Sequence, residues 1–322
     1  MGRFLATSLL VLCVGLMASP ARAKDDEKDR PTWNFAAGVE QGYTDNVRWA
    51  ADGPQKDPAW FTTIGGEATW HNERLRWLPS QIMGGVRGRV YTEYSDRDFA
   101  EIYTRMEKDL GDNTLLLRYK YIPERLRLED DPDEGATFSM DHELGIGAER
   151  KMGPGKRLRV RLMFEAEWDE ATDGTASERD SFTAAGVGEV RYRLHDLFQP
   201  RLAGNYGVRD AKSSNYDRDE AYVEAGFVSH PWKPLEISFL YSWIWRDYTV
   251  GSATGPDGDN SNFDREDNAD QFEVMLKLDV PRVDGLAVTL EYKYRDNDST
   301  RDSREFDLNE GSLGLVYKFS LG

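Results

Sequence analysis

Leu286, Val288, Leu290, Tyr292 and Tyr294 alternate with Ala287, Thr289, Glu291, Lys293 and Arg295. A strand sends successive side chains to opposite faces, so this stretch has one apolar and one charged face. Leu158 to Trp168, Leu235 to Trp245 and Ile82 to Tyr94 repeat the pattern. Period-two patterning defines fourteen segments: 33–43, 60–71, 81–94, 99–110, 114–122, 138–151, 157–168, 181–193, 201–209, 220–230, 235–248, 269–280, 286–295 and 308–321. Strands in soluble sheets average about five or six residues. Most of these segments reach the roughly 9–11 residues that a tilted strand needs to cross a bilayer.

The gaps between segments also alternate. Short turns such as 111–113, 231–234 and 281–285 follow even-numbered segments. Longer gaps such as 44–59, 123–137, 249–268 and 296–307 follow most odd-numbered ones. The long-side gaps carry a net charge of −18 and the short-side turns +1, so the acidity collects on one rim. Short turns on one side and long loops on the other fit a membrane barrel, and an open sheet edge has no partner in lipid. The expected fold is therefore all-β: a transmembrane, antiparallel, up-and-down β-barrel of about fourteen strands over residues 33–322.

Composition narrows the alternatives. The 322 residues carry 41 Lys+Arg against 58 Asp+Glu, a formal charge of −17. That balance, with a pI near 4.8, argues against a nucleic-acid partner, which needs a basic surface. Nine Trp, 15 Tyr and 14 Phe do not fit a disordered chain. Aromatic residues instead stand near segment ends, as at Trp33, Tyr43, Trp60, Trp168 and Tyr192, where a headgroup zone favours them. At the N-terminus, Arg3 precedes an apolar run from Phe4 to Met17 and then Ala21-Arg22-Ala23. This is the pattern of a secretory signal peptide over 1–23, cleaved near Ala23, with 24–32 left as a periplasmic tail. The sole Cys, Cys13, lies within that leader, so the expected mature chain relies on closure of the sheet rather than on disulfides.

The inward face holds the candidate working residues. A basic wall is expected from Arg87, Arg89, Arg118, Lys120, Arg159, Arg161, Arg191 and Arg193. An acidic wall is expected opposite it, from Glu40, Glu67, Glu224, Glu236, Glu273 and Glu291. Facing walls of opposite sign would orient polar solutes across a lumen. The competing reading is that these charges pair and fill the interior. Other chemistry is weakly signalled. The four His (His71, His142, His195, His230) show no Ser-His spacing and no Cys/His metal cluster. Asp257 to Ser261 begins like a calcium loop, but Asn262 and Asn268 stand where its Gly and Glu belong. No catalytic residue, metal or cofactor is expected.

In architecture the chain resembles bacterial outer-membrane β-barrel, porin-like proteins of Gram-negative cells. Gly42-Tyr43-Thr44-Asp45-Asn46-Val47 resembles the opening of uncharacterised β-barrel porin families, some of them associated with surface polysaccharide. The resemblance implies a place in the outer membrane, contact with its lipid and lipopolysaccharide, and passive passage or export of a hydrophilic solute or polysaccharide. A periplasmic export partner is compatible with it. Two other functions remain: a plugged barrel serving as a structural or partner component of a surface-export machine, and a barrel enzyme acting on lipid.

Overall fold

The computed structural model describes residues 32–46, 57–72, 77–94, 97–127, 137–172, 180–195, 197–212, 217–248, 265–300 and 305–321. The proposed signal peptide, cleavage site and tail up to residue 31, and most of the long-side loops, lie outside the described residues. Fourteen strands follow one another: β1 (Thr32–Thr44), β2 (Ala59–His71), β3 (Gln81–Tyr91), β4 (Phe99–Leu110), β5 (Asn113–Arg127), β6 (Thr137–Met152), β7 (Leu158–Ala171), β8 (Ser181–Tyr192), β9 (Phe198–Ala211), β10 (Arg218–Trp232), β11 (Leu235–Tyr248), β12 (Arg265–Asp279), β13 (Leu286–Ser299) and β14 (Phe306–Leu321). Each pairs antiparallel with its sequence neighbours, and β14 returns to β1, closing the barrel.

Several strands run past the boundaries that alternation predicts. β5 extends to Arg127 rather than 122, β13 to Ser299 rather than 295, and β12 starts at Arg265 rather than 269. All three extensions are on the long-loop side. There the outward residues turn polar, as at Glu266, Asp270 and Asp296, so the hydrophobic signal stops while the hydrogen-bonded ladder continues. The ladder depends on backbone pairing, not on which solvent covers it.

Side-chain alternation decides which face is which. Leu162, Phe164, Ile146 and Leu313 are 54–65% exposed and all lie on one parity of their strands. So many large apolar groups on one continuous surface call for a hydrocarbon cover rather than water. Aromatic side chains edge this band. Tyr43 meets Trp60 edge-on at 5.3 Å, and Trp168 tilts against Phe182 at 5.5 Å. Several carry a polar tip toward the long-loop side: Tyr206 donates to Asp219 at 2.9 Å and Trp245 to Glu266 at 3.0 Å.

The β1–β14 seam is held beyond its backbone ladder by the segment singled out above. Asp45 accepts from the backbone N–H of Asn309 at 2.7 Å and from its side-chain amide at 2.8 Å. Buried Asn46 donates to the carbonyl of Asp307 at 2.9 Å.

On the opposite rim two turns meet at an ion pair. Asp112 lies 2.8 Å from Lys156, in the 3-10 turn Pro154–Lys156. The Lys156 ammonium holds the Asp112 carboxyl below its ordinary range, and Asp112 in turn raises Lys156. The Asp112 contribution is present above the unfolded carboxyl range and lost as pH falls through its depressed value. The Lys156 contribution is present below the unfolded amine range and lost as pH rises through its raised value. Both groups are fully exposed, where such pairs contribute little. Asp112→Asn is therefore expected to leave the urea unfolding midpoint at pH 7 unchanged. A resolved drop would mean that this rim is anchored by the pair.

Candidate functional site

The inward parity of the strands carries most of their charged side chains, among apolar ones such as Phe61, Leu116, Ile122 and Leu308, and these charges are cross-linked along the wall. On β5 to β7, Arg118 reaches Glu143 at 2.5 Å and Glu165 at 2.7 Å, and Lys120 pairs with the same Glu143. On β6 to β10 the signs alternate across successive strands. Glu149 pairs with Arg161 at 2.8 Å, Glu189 with Arg191 at 2.5 Å and with Arg201 at 3.2 Å, and Arg201 with Glu224 at 2.7 Å. Directly opposed cross-strand residues lie about 5 Å apart at Cβ, which suits such ladders.

Six of the eight residues of the expected basic wall thus sit beside carboxylates on their own or adjacent strands, Arg89 and Arg193 being the exceptions. Arg87 pairs with Glu101 at 3.0 Å, and Arg159 lies 3.9 Å from Glu149. Arg193 stands one residue beyond β8, where it donates to the carbonyl of Gly155 at 3.0 Å. On the expected acidic wall, Glu224 accepts from Arg201 and Tyr222, Glu67 from Tyr103 at 3.2 Å, and Glu236 lies 3.2 Å from His230. Glu40, Glu273 and Glu291 have no cation within ion-pair distance among the described residues.

Arg89 makes the longest reach. It starts on β3, lies 3.9 Å above the ring of Phe61 on β2, and ends with Nη1 at 3.0 Å from both oxygens of Glu310 on β14. Its Nε donates to Thr63 at 3.2 Å. The inner surface of β1 and β2 is spanned by this one side chain. Phe61 can lie flat beneath it because β1 offers Gly42 there: a Cβ at that position would stand 2.1 Å from the ring. The same device recurs at Gly85, against which Tyr103 lies, and at Gly145, against which Arg118 lies. Large inward groups are laid along the wall instead of toward the axis.

A cavity of about 480 Å³ remains beside β3 to β10. Tyr103, Arg105, Lys120, Glu167, Asn205 and Glu220 are among its lining residues. Its cations are matched locally: Arg105 lies 2.5 Å from Glu107, and Arg118 and Lys120 share Glu143.

Two features were not separated by sequence reasoning. Arg201 joins two carboxylates on different strands, and its only signal was its inward parity at the start of a segment. Asp141, Glu167 and Asp169 bring one oxygen each within 4.8 Å of one another, with Ser139 and Ser181 donating to the two aspartates at 2.6 and 3.0 Å. That grouping straddles β6 and β7 and has no linear motif. Three of the four histidines have these partners among the described residues: His142 bonds Tyr119 on the outer face at 2.8 Å, His230 faces Glu236, and His195 accepts from the Leu197 N–H.

No protein-family model matches the chain, and no curated protein matches its sequence. Solved structures do resemble it in shape. The outer membrane channel DcaP of Acinetobacter baumannii superposes with a TM-score of 0.52 at 11% identity, covering 93% of this chain and 100% of that one. OmpT expressed in the outer membrane of Vibrio cholerae gives 0.50 at 11% identity, covering 92% and 100%. At such identities the likeness concerns the fold. The chain is a closed fourteen-stranded barrel of the kind found in bacterial outer membranes.

Proposed function

We propose that the chain is a passive channel in the outer membrane, admitting hydrophilic solutes through its polar lumen. The observation that carries this reading is the arrangement of the inner wall. Cross-strand ion pairs and the recesses at Gly42, Gly85 and Gly145 hold long side chains against the sheet, beside a cavity of about 480 Å³. A barrel of this strand number leaves room for a passage unless something fills it. The resemblance at Gly42 to Val47 adds a polysaccharide strand as a candidate cargo, and a concentration gradient suffices to drive either. Lipid and lipopolysaccharide cover the outer band in this reading, an exported precursor delivers the chain, and no catalytic step is involved.

Refolded protein added to a planar bilayer should give discrete conductance steps. Silence from protein with the compact, heat-modifiable mobility of a folded barrel would overturn the reading in favour of a plugged partner component. Gly145→Leu sharpens the test. A Cβ there would stand 2.8 Å from Cγ of Arg118, so the added side chain drives the guanidinium off the wall and toward the axis. Unit conductance should fall. An unchanged value would place Arg118 away from the permeation path.

A further inference from the structure

We propose that the passage prefers cations over anions, and that Glu40, Glu273 and Glu291 set that preference. The inference rests on the channel reading given above. It follows from an asymmetry in how the two halves of the inner wall are neutralised. Along β5 to β10 the cations of the ladder are held beside carboxylates: Arg118, Lys120, Arg161, Arg191 and Arg201 sit within 3.2 Å of one, and Arg159 lies 3.9 Å from Glu149. Side chains of opposite sign at that separation present little net field a few ångströms away.

The half formed by β12, β13, β14, β1 and β2 differs. Between the rims, five inward carboxylates (Glu40, Glu67, Glu273, Glu291 and Glu310) face three cations, Lys293, Arg295 and Arg89 reaching over from β3, while inward Asp279 and Lys318 toward the short-turn rim offset one another. Glu236 on the adjacent β11 is matched in register by Lys277. Arg89 is committed to Glu310 at 3.0 Å. Lys293 lies opposite Glu273 in one register and Glu310 in the other, and can neutralise one carboxylate. Arg295 lies 5.5 Å from the ring of Phe306, on the long-loop side of that group. The half-wall therefore keeps an excess of two negative charges. One proton shared among neighbouring carboxylates would still leave it negative.

A net charge on a wall backed by hydrocarbon acts on every ion that passes, because the low dielectric behind it focuses the field into the water-filled path. One net charge about 8 Å from that path, seen through water, changes the local cation-to-anion ratio by roughly fivefold. The substrate class implied is small cations and hydrophilic solutes bearing a positive group. Anionic solutes are disfavoured.

Reversal potentials across a KCl gradient test this on the refolded full chain in neutral planar bilayers. The expected cation-to-anion permeability ratio is about five near 0.1 M salt, and it should decline toward one near 1 M, where charges are screened within about 3 Å. In Glu40→Gln/Glu273→Gln/Glu291→Gln, a near-isosteric change, three carboxylates are removed from a half-wall with an excess of two, so the low-salt ratio should fall to one or below with conductance retained. A conducting wild type with a ratio at or below one overturns the inference and leaves the channel reading standing. A triple variant as cation-selective as wild type overturns the assignment to these carboxylates. Folded protein without conductance removes the channel reading, and the inference with it.

Discussion

Arg89→Ala should lower the unfolding free energy of the barrel by about 3 kcal/mol, because truncation of one partner leaves a largely desolvated ion alone. Glu310 keeps 15% of its side-chain surface and has Arg89 as its ion-pair partner at 3.0 Å. The same truncation uncovers Phe61, which is fully buried beneath the guanidinium at 3.9 Å. Arg89→Met/Glu310→Leu removes both charges and keeps much of the volume, so it should recover most of the loss. Urea titrations in detergent or lipid, read by tryptophan emission and by heat-modifiable mobility, report both numbers. If the single and double variants lose equally, stacking on Phe61 rather than charge pairing holds this side chain in place.

The second large effect is expected at Gly285, in the short turn before β13. Its φ is +81°, a left-handed conformation that costs an L-residue about 1–2 kcal/mol. A Cβ there would also stand 1.9 Å from the carbonyl oxygen of Lys318 on β14, a backbone atom that cannot rotate away. The Gly285 carbonyl accepts from the Lys318 N–H at 2.8 Å, so relief of the clash disrupts that bond. Gly285→Ala should therefore destabilise by about 3 kcal/mol or more, the dihedral penalty and the overpacking cost together. Gly111 provides the control, since its φ is +73° but nothing lies within 4 Å of a Cβ placed on it. Gly111→Ala should cost about 1–2 kcal/mol, the dihedral part alone. Equal losses at the two glycines would show that the β12–β13 turn yields to the added methyl.

The fold was legible in the sequence because a barrel between lipid and water writes its two faces in alternation. Leu286 to Arg295 is enough to assign both faces of β13, and the structure keeps that parity. Strand ends were less legible, since alternation stops at the lipid boundary while pairing continues to residues such as Arg265 and Ser299. The composition of the inner wall was legible, but its pairings were not. Which inward groups meet depends on the tilt and stagger of the strands, and the Arg89–Glu310 contact joins residues 221 positions apart. Nor does a sequence distinguish a glycine that merely occupies a strand from Gly42, whose missing side chain is the space that Phe61 fills. A search for facing basic and acidic walls therefore named charged inward residues without showing that most of the basic ones are engaged close at hand.

The closing contact of first strand with last also acts as a check on alignment. Slippage of β14 by two residues would preserve the inside-outside order and so escape any hydrophobic penalty. It would not escape Asp45. In the native register that carboxylate meets Asn309, whereas either slip would offer it Gly311, with no side-chain donor, or Asp307, with a charge of the same sign. Arg89 would likewise find Ser312 or Leu308 in place of Glu310. Two polar residues thus make mis-threaded closure self-rejecting, an editing step carried by the polypeptide's own chemistry.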